Sequence, residues 1–244
     1  MLVWILSFST LGSVGTVLAA SLFLWFPEKI RVSVVPNLIA YAVGTLLGAA
    51  FLGLLPHALE DEDAGVIMPV VLAGILLFFF LEKALLWRHC HVEECEVHHA
   101  AAPLILLGDG LHNFVDGVVI AAAFLGGIPL GVTTALAVIV HEVPQEVGDF
   151  AILLQGGFSP RRALAWNVLS STATIPGALL GYVALGAVEG AVPLILAISA
   201  ASFIYIAAAD LIPSLHRGPF RGKAVTQTAL VLAGVATIAL LRHS

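Results

Sequence analysis

The sequence predicts an all-α, polytopic membrane protein with eight transmembrane helices and both termini extracytoplasmic. Three observations lead to that class. Of 244 residues, 60% are hydrophobic and only 11% charged, with a mean hydropathy of +1.05. A water-soluble domain of this length carries about a quarter charged residues. The apolar residues also fall in long runs, of the roughly 20-residue length that crosses a bilayer. Finally, the basic residues gather beside alternate connections between the runs, the asymmetry that orients membrane proteins. Sixteen acidic against ten basic residues leave a net charge of −6, which argues against nucleic acid as a partner. The bilayer is the solvent this chain meets.

Taken in order, the predicted spans are about 2–26, 34–56, 66–87, 102–125, 128–154, 161–187, 190–214 and 224–242. The first has no basic start and no small-residue cleavage site, so it reads as a span and not as a signal peptide. Lys29 and Arg31 follow it, and Lys83 and Arg88 close the third span. Arg161 and Arg162 follow the fifth, and Arg217, Arg221 and Lys223 the seventh. Nine of the ten basic residues thus mark one side, which the positive-inside rule makes cytoplasmic. The opposite connections carry Glu60-Asp61-Glu62-Asp63, Gly126-Gly127 and Glu189. The chain, 1–244, is expected to form a single transmembrane domain, with the polar stretch 88–101 as a cytoplasmic loop.

Ionisable groups inside lipid cost about 2.5–3.5 kcal/mol each on insertion scales, so they need partners or water. Spans four and five concentrate them: Asp109, His112 and Asp116, then His141, Glu142, Glu146 and Asp149. Asp210 adds one on span seven. Asp109, His112 and Asp116 recur at i, i+3, i+7 and share a helix face, which Asn113 widens. His141 and Gln145 stand at i, i+4, beside a second stripe of Glu142, Glu146 and Asp149. The short Gly126-Gly127-Ile128-Pro129 turn lets both faces meet across antiparallel helices. Imidazole nitrogen with carboxylate and amide oxygen suits a borderline divalent cation such as Zn²⁺. A structural polar network is the plainer alternative, and for Asp149 an interfacial pairing with Arg161 or Arg162.

Pro144 lacks an N–H and clashes with the Val140 carbonyl, so it is expected to kink span five beside His141. A freed carbonyl at that depth requires protein or water to satisfy it. The loop residues His89, Cys90, His91, Cys95, His98 and His99 form a metal-collecting candidate, although their spacing matches no closed zinc finger. The same two cysteines suggest no disulfide framework. Glu60–Asp63 would concentrate cations at the outer mouth, with His57 just inside it. An ordinary solvated turn explains the acidic run equally well.

These motifs resemble a known family. His112-Asn113-Phe114-Val115-Asp116-Gly117 resembles the fourth-span signature of ZIP metal transporters, and His141-Glu142-Val143-Pro144-Gln145-Glu146-Val147-Gly148-Asp149-Phe150 the fifth-span one. The form is that of the histidine-rich animal branch and its bacterial relatives. Leu54-Leu55-Pro56-His57-Ala58 and the stretch from Tyr205 to Pro213 fit that branch's second and seventh spans. The resemblance implies an importer of divalent transition metal, zinc most often, with iron, manganese or cadmium as other substrates. It implies that His112, Asp116, His141, Glu142 and Gln145 line the transport site beside Asn113. A homodimer in a prokaryotic inner membrane is the natural expectation. The sequence departs from the family pattern at Gln145, where relatives have His or Glu. Gly53 stands where the branch often has His. Span six offers Asn167, Ser170, Ser171 and Thr174 but no acid. One principal metal site is therefore expected, not a well-formed binuclear pair.

Two rival readings frame the expectation. A zincin protease needs HExxH, and here Gln145 replaces the second histidine while Pro144 interrupts the turn. A membrane di-iron enzyme would want more deep histidines than two. A proton- or cation-conducting channel would use the carboxylates alone.

Overall fold

The computed structural model describes residues 1–23, 25–87, 97–155, 157–187, 190–216 and 224–241, and no strand occurs among them. Seven segments among the described residues are long and apolar enough to cross a membrane: Leu2–Leu22, Ser33–Asp61, Ala64–Lys83, Ile128–Phe150, Pro160–Leu185, Ala191–His216 and Ala224–Leu241. The remaining expected span, 102–125, lies within a 30-residue helix, Val97–Gly126, that carries Asp109, His112, Asn113 and Asp116.

The helices run as follows: α1 Leu2–Thr10, α2 Thr16–Phe23, α3 Glu28–Gly48, α4 Leu55–Asp61, α5 Ala64–Trp87, α6 Val97–Gly126, α7 Ile128–Gln155, α8 Pro160–Ser171, α9 Thr174–Ala187, α10 Ala191–Tyr205, α11 Ile212–His216 and α12 Ala224–Leu241. Three π-helical turns join collinear pieces: Leu11–Gly15, Ala49–Leu54 and Ile206–Leu211. Two of them have an evident cause. Pro56 and Pro213 each lack an N–H, and their rings would press on the carbonyls four residues back, those of Leu52 and Ala209. Both carbonyls lie inside the π turn, where bonds reach five residues along and make room for the ring. Pro144, by contrast, sits within α7, which remains helical from Ile128 to Gln155.

Glycines set the close crossings. A Cβ on Gly117 of α6 would overlap the Thr174 carbonyl, and one on Gly177 of α9 the Phe114 carbonyl. The backbones of α6 and α9 therefore touch, with Gly181 against Val118 and Ala121 one turn on. Gly44 and Gly234 do the same for α3 and α12. Among the described residues α6 packs against α1, α7, α8, α9 and α10. Its half toward Gly126, Val119 to Phe124, joins Ala135, Ala137 and Val138 of α7 in the apolar core. The half toward residue 97 carries the polar residues.

The turn between α6 and α7 is a single residue. Gly127 has φ +152, a conformation that side chains rarely adopt, and its N–H bonds back to the carbonyls of Ala123 and Phe124. The acidic run after α4 ends that helix, and the Asp63 carbonyl accepts from Val66 and Ile67 to start α5. Span six, one candidate crossing from Pro160 to Leu185, is made of two helices: α8 stops at Ser171 and α9 starts at Thr174.

Candidate metal site

Four side chains from α6 and α7 converge on one point. His112 Nε2 lies 3.6 Å from Asp116 Oδ2 and 3.4 Å from Glu142 Oε1. His141 Nε2 lies 3.5 Å from Asp116 Oδ2 and 3.6 Å from Glu142 Oε1. The two Nε2 atoms face each other at 3.2 Å. Four ligands about 2.0–2.2 Å from a tetrahedral ion stand about 3.3–3.6 Å from one another, 1.63 times the bond length. The observed separations match those edges and are mostly longer than good hydrogen bonds.

The surroundings fit an ion. Asp116 and Glu142 are fully buried, and neither carboxylate has a hydrogen-bond partner on either oxygen. Two unpartnered buried carboxylates are expensive unless a positive charge sits between them. His141 is also buried, and its Nδ1 lies 3.1 Å from the Ala137 carbonyl. That oxygen only accepts, so Nδ1 holds a proton and Nε2 is the ring atom turned toward the site. Phe203 of α10 meets the His141 ring edge-on, 6.2 Å between centroids, and closes that side. His112 is the accessible member, its side chain 21% exposed.

A second group lies beside the first. Asp109, Glu142 and Glu146 each bring an oxygen within 4.8 Å of the others, all three buried. Glu142 belongs to both groups. Asn113 and Gln145 both bond to Asp109. Asn113 Nδ2 donates to Asp109 Oδ1 at 3.0 Å, and Gln145 Nε2 donates to the same atom at 3.2 Å. Thr174, held over α6 by the glycine crossing, donates to Asn113 Oδ1 at 2.9 Å. Asn167 of α8 donates to the Glu146 backbone carbonyl at 3.4 Å.

The other sequence candidates lie apart. Asp149, further along α7, joins neither group, and among the described residues no ion pair ties it to Arg161 or Arg162. Arg162 instead stacks over the Phe158 ring. Asp210 is exposed in the Ile206–Leu211 π turn. His57 pairs with Glu60 at 3.2 Å on α4, beside a cavity of about 270 Å³ lined by Gly53, Gly126, Gly127 and Leu130. Of the loop set, His98 and His99 lie in α6, their side chains outside the description, and His89, Cys90, His91 and Cys95 lie outside the described residues.

Comparison with known proteins now decides the lineage. A family model described as "ZIP Zinc transporter" matches residues 87–242, which include both convergent helices. The chain belongs to the ZIP zinc transporter family. Zinc transporter zipt-7.1 of Caenorhabditis briggsae is 30% identical over 274 aligned residues, 87% of this chain and 70% of that protein. Zinc transporter foi of Drosophila melanogaster is 39% identical over 149 residues, 60% of this chain but 21% of that protein. For Zinc transporter ZIP10 of Mus musculus the identity is 41% over 116 residues, 47% of this chain and 14% of that protein. The chain thus matches about a fifth or less of the length of foi and ZIP10. ZIP proteins are transporters and not enzymes, which sets aside the protease and di-iron readings.

Within this ZIP chain, the sequence reading missed the work of span six. Thr174 and Asn167 brace Asn113 and the Glu146 backbone, and the only signal was a run of small polar residues in an otherwise apolar span.

Proposed function

We propose that the protein carries divalent transition-metal ions into the cytoplasm through the site formed by His112, Asp116, His141 and Glu142. Zinc is the main substrate, and iron(II), manganese(II) and cadmium compete with it. The observation that carries the reading is a set of five ligand-to-ligand distances, 3.2–3.6 Å, close to the edges of a tetrahedron around an ion of zinc's bond length. Two neutral imidazoles and two carboxylates give an overall neutral complex with a dication, the form that low-dielectric surroundings tolerate. The relatives named above are zinc transporters, which supports zinc as the substrate class.

In this reading α6 is the eighth crossing, since 30 helical residues span about 45 Å. Both termini then face outward and the 88–101 stretch faces the cytoplasm, in a homodimer of a prokaryotic inner membrane. The test is radiometal uptake into proteoliposomes with zinc, iron(II), manganese and cadmium. Saturable zinc uptake by the wild type, lost in the double variant His112→Ala/His141→Ala, is the expected result. Equal uptake by both would remove the site assignment. Unsaturable flux without metal preference would favour the channel.

A further inference from the structure

A groove lies away from the metal site, between α3, α11 and α12. It encloses about 620 Å³, within the roughly 300–1,000 Å³ of small-molecule sites. Buried Val43 and Leu215 form its floor. Its rim is a stripe on α12: Ala224, Thr228 and Leu232 recur at i, i+4, i+8, and all three are exposed. That stripe runs about 12 Å along the helix. The two ends of the groove differ. A Cβ on Gly44 would meet Val231 and Gly234, which sets Val43 and Leu47 level with Val231 and Leu232. That end is apolar. The other end holds His216, in the last turn of α11, with Gln227 and Thr228 in the first two turns of α12.

All three helices belong to candidate membrane spans, so the medium facing the exposed rim is lipid, and an acyl chain suits the apolar end. Charge at the polar end selects the headgroup. From His216 to Gln227 the sequence holds Arg217, Arg221 and Lys223 and no acidic residue. Arg217 directly follows His216, and Lys223 directly precedes Ala224, both of which line the groove. Gly48 meets Val235 and Ile238 one turn beyond the Gly44 contact, so α3 and α12 run in the same direction. Exposed Lys29, near the start of α3, therefore lies toward the same end. Basic pockets between membrane helices suit acidic headgroups. We propose that this groove binds an anionic phospholipid, one acyl chain lying along Ala224, Thr228 and Leu232 and the headgroup at the His216 end. The site shares no residue with the metal centre, so it stands or falls apart from the transport reading.

The test is native mass spectrometry of the full-length protein in detergent, with equal amounts of dioleoylphosphatidylglycerol and dioleoylphosphatidylcholine. The wild type should retain one phosphatidylglycerol per chain, in roughly fivefold or greater preference to phosphatidylcholine. Thr228→Trp fills the groove from its exposed rim and should abolish that retention. Val183→Trp, at an exposed position of α9 outside the groove, should leave it unchanged. Arg217→Gln/Lys223→Gln should bring phosphatidylglycerol down to the phosphatidylcholine level. A thermal unfolding midpoint near that of the wild type shows each variant to be folded. Should Thr228→Trp fail that check, Leu232→Trp, also on the exposed rim, takes its place. Phosphatidylglycerol held equally by the wild type and the filled variant would overturn the site. Equal retention of the two lipids by the wild type would overturn the headgroup assignment, and the proposal with it. Lipid carried by monomers but expelled from dimers would give the groove to a second copy of the chain and overturn it as well.

Discussion

His141 illustrates how a single residue is prepared for its work. Its ring is fixed by three constraints: the Ala137 carbonyl at Nδ1, the Phe203 ring at one edge and His112 across the site. Thr174 acts one step further away. Its hydroxyl satisfies Asn113 Oδ1 inside the protein, so Thr174→Val would leave a buried amide oxygen unpaired. The expected loss is about 1–3 kcal/mol of stability, read by thermal unfolding in detergent, with Thr174→Ser close to wild type. A Val variant as stable as the parent would show the hydrogen bond to be dispensable. The facing polar stripes were legible from spacing, since i, i+4 pairing puts His112 and Asp116 on one face. The narrower ligand set was what the family resemblance implied, and it included Gln145. The hydrogen-bond partners of Asn113 and Gln145 were not legible. Which amide meets which carboxylate depends on how α6 and α7 are rotated about their axes, and periodicity does not encode that rotation.

At the level of helices, the site depends on the crossing of α6 and α9. Gly177→Ala would drive a methyl into the Phe114 carbonyl, two residues from Asp116. Backbone atoms cannot swing aside as a side chain does, so the expected destabilisation is about 1–3 kcal/mol, with weakened zinc binding as a second readout. Gly108→Ala on α6 is the control, because a Cβ there meets nothing within 4 Å. If both variants behave alike, the crossing is looser than described. The apolar runs made most helices legible. The π turns before Pro56 and Pro213 and the break between Ser171 and Thr174 were hidden, because hydropathy measures burial and not hydrogen-bond register.

Across the whole molecule, polarity is segregated along α6 and α7. From Gly117 to Gly126 and from Ile128 to Val140 neither α6 nor α7 has an ionisable residue, and these halves form the apolar core. Among the described residues, all the buried carboxylates lie on the other side of that layer. Because protons compete with metal for imidazole nitrogen, zinc uptake should decline as the pH falls below about 6.5, the ordinary imidazole range. Uptake unchanged down to about pH 5 would argue against histidine ligation. The overall class followed from composition and the division into a dry half and a charged half from the order of residues, while packing shows that the dry half forms the core.

The one-residue turn at Gly127 constrains traffic as well as shape. Two virtual bonds of 3.8 Å keep the Cα atoms of Gly126 and Ile128 within about 7.6 Å in every state the protein visits. The joined ends of α6 and α7 therefore behave as the closed end of a pair of tweezers. A hydrated ion cannot slip between the tips that are joined, so any route from that side must pass along the flank of the hairpin. The flank beside α4 already has an opening, where His57 and Glu60 face Gly126 and Leu130.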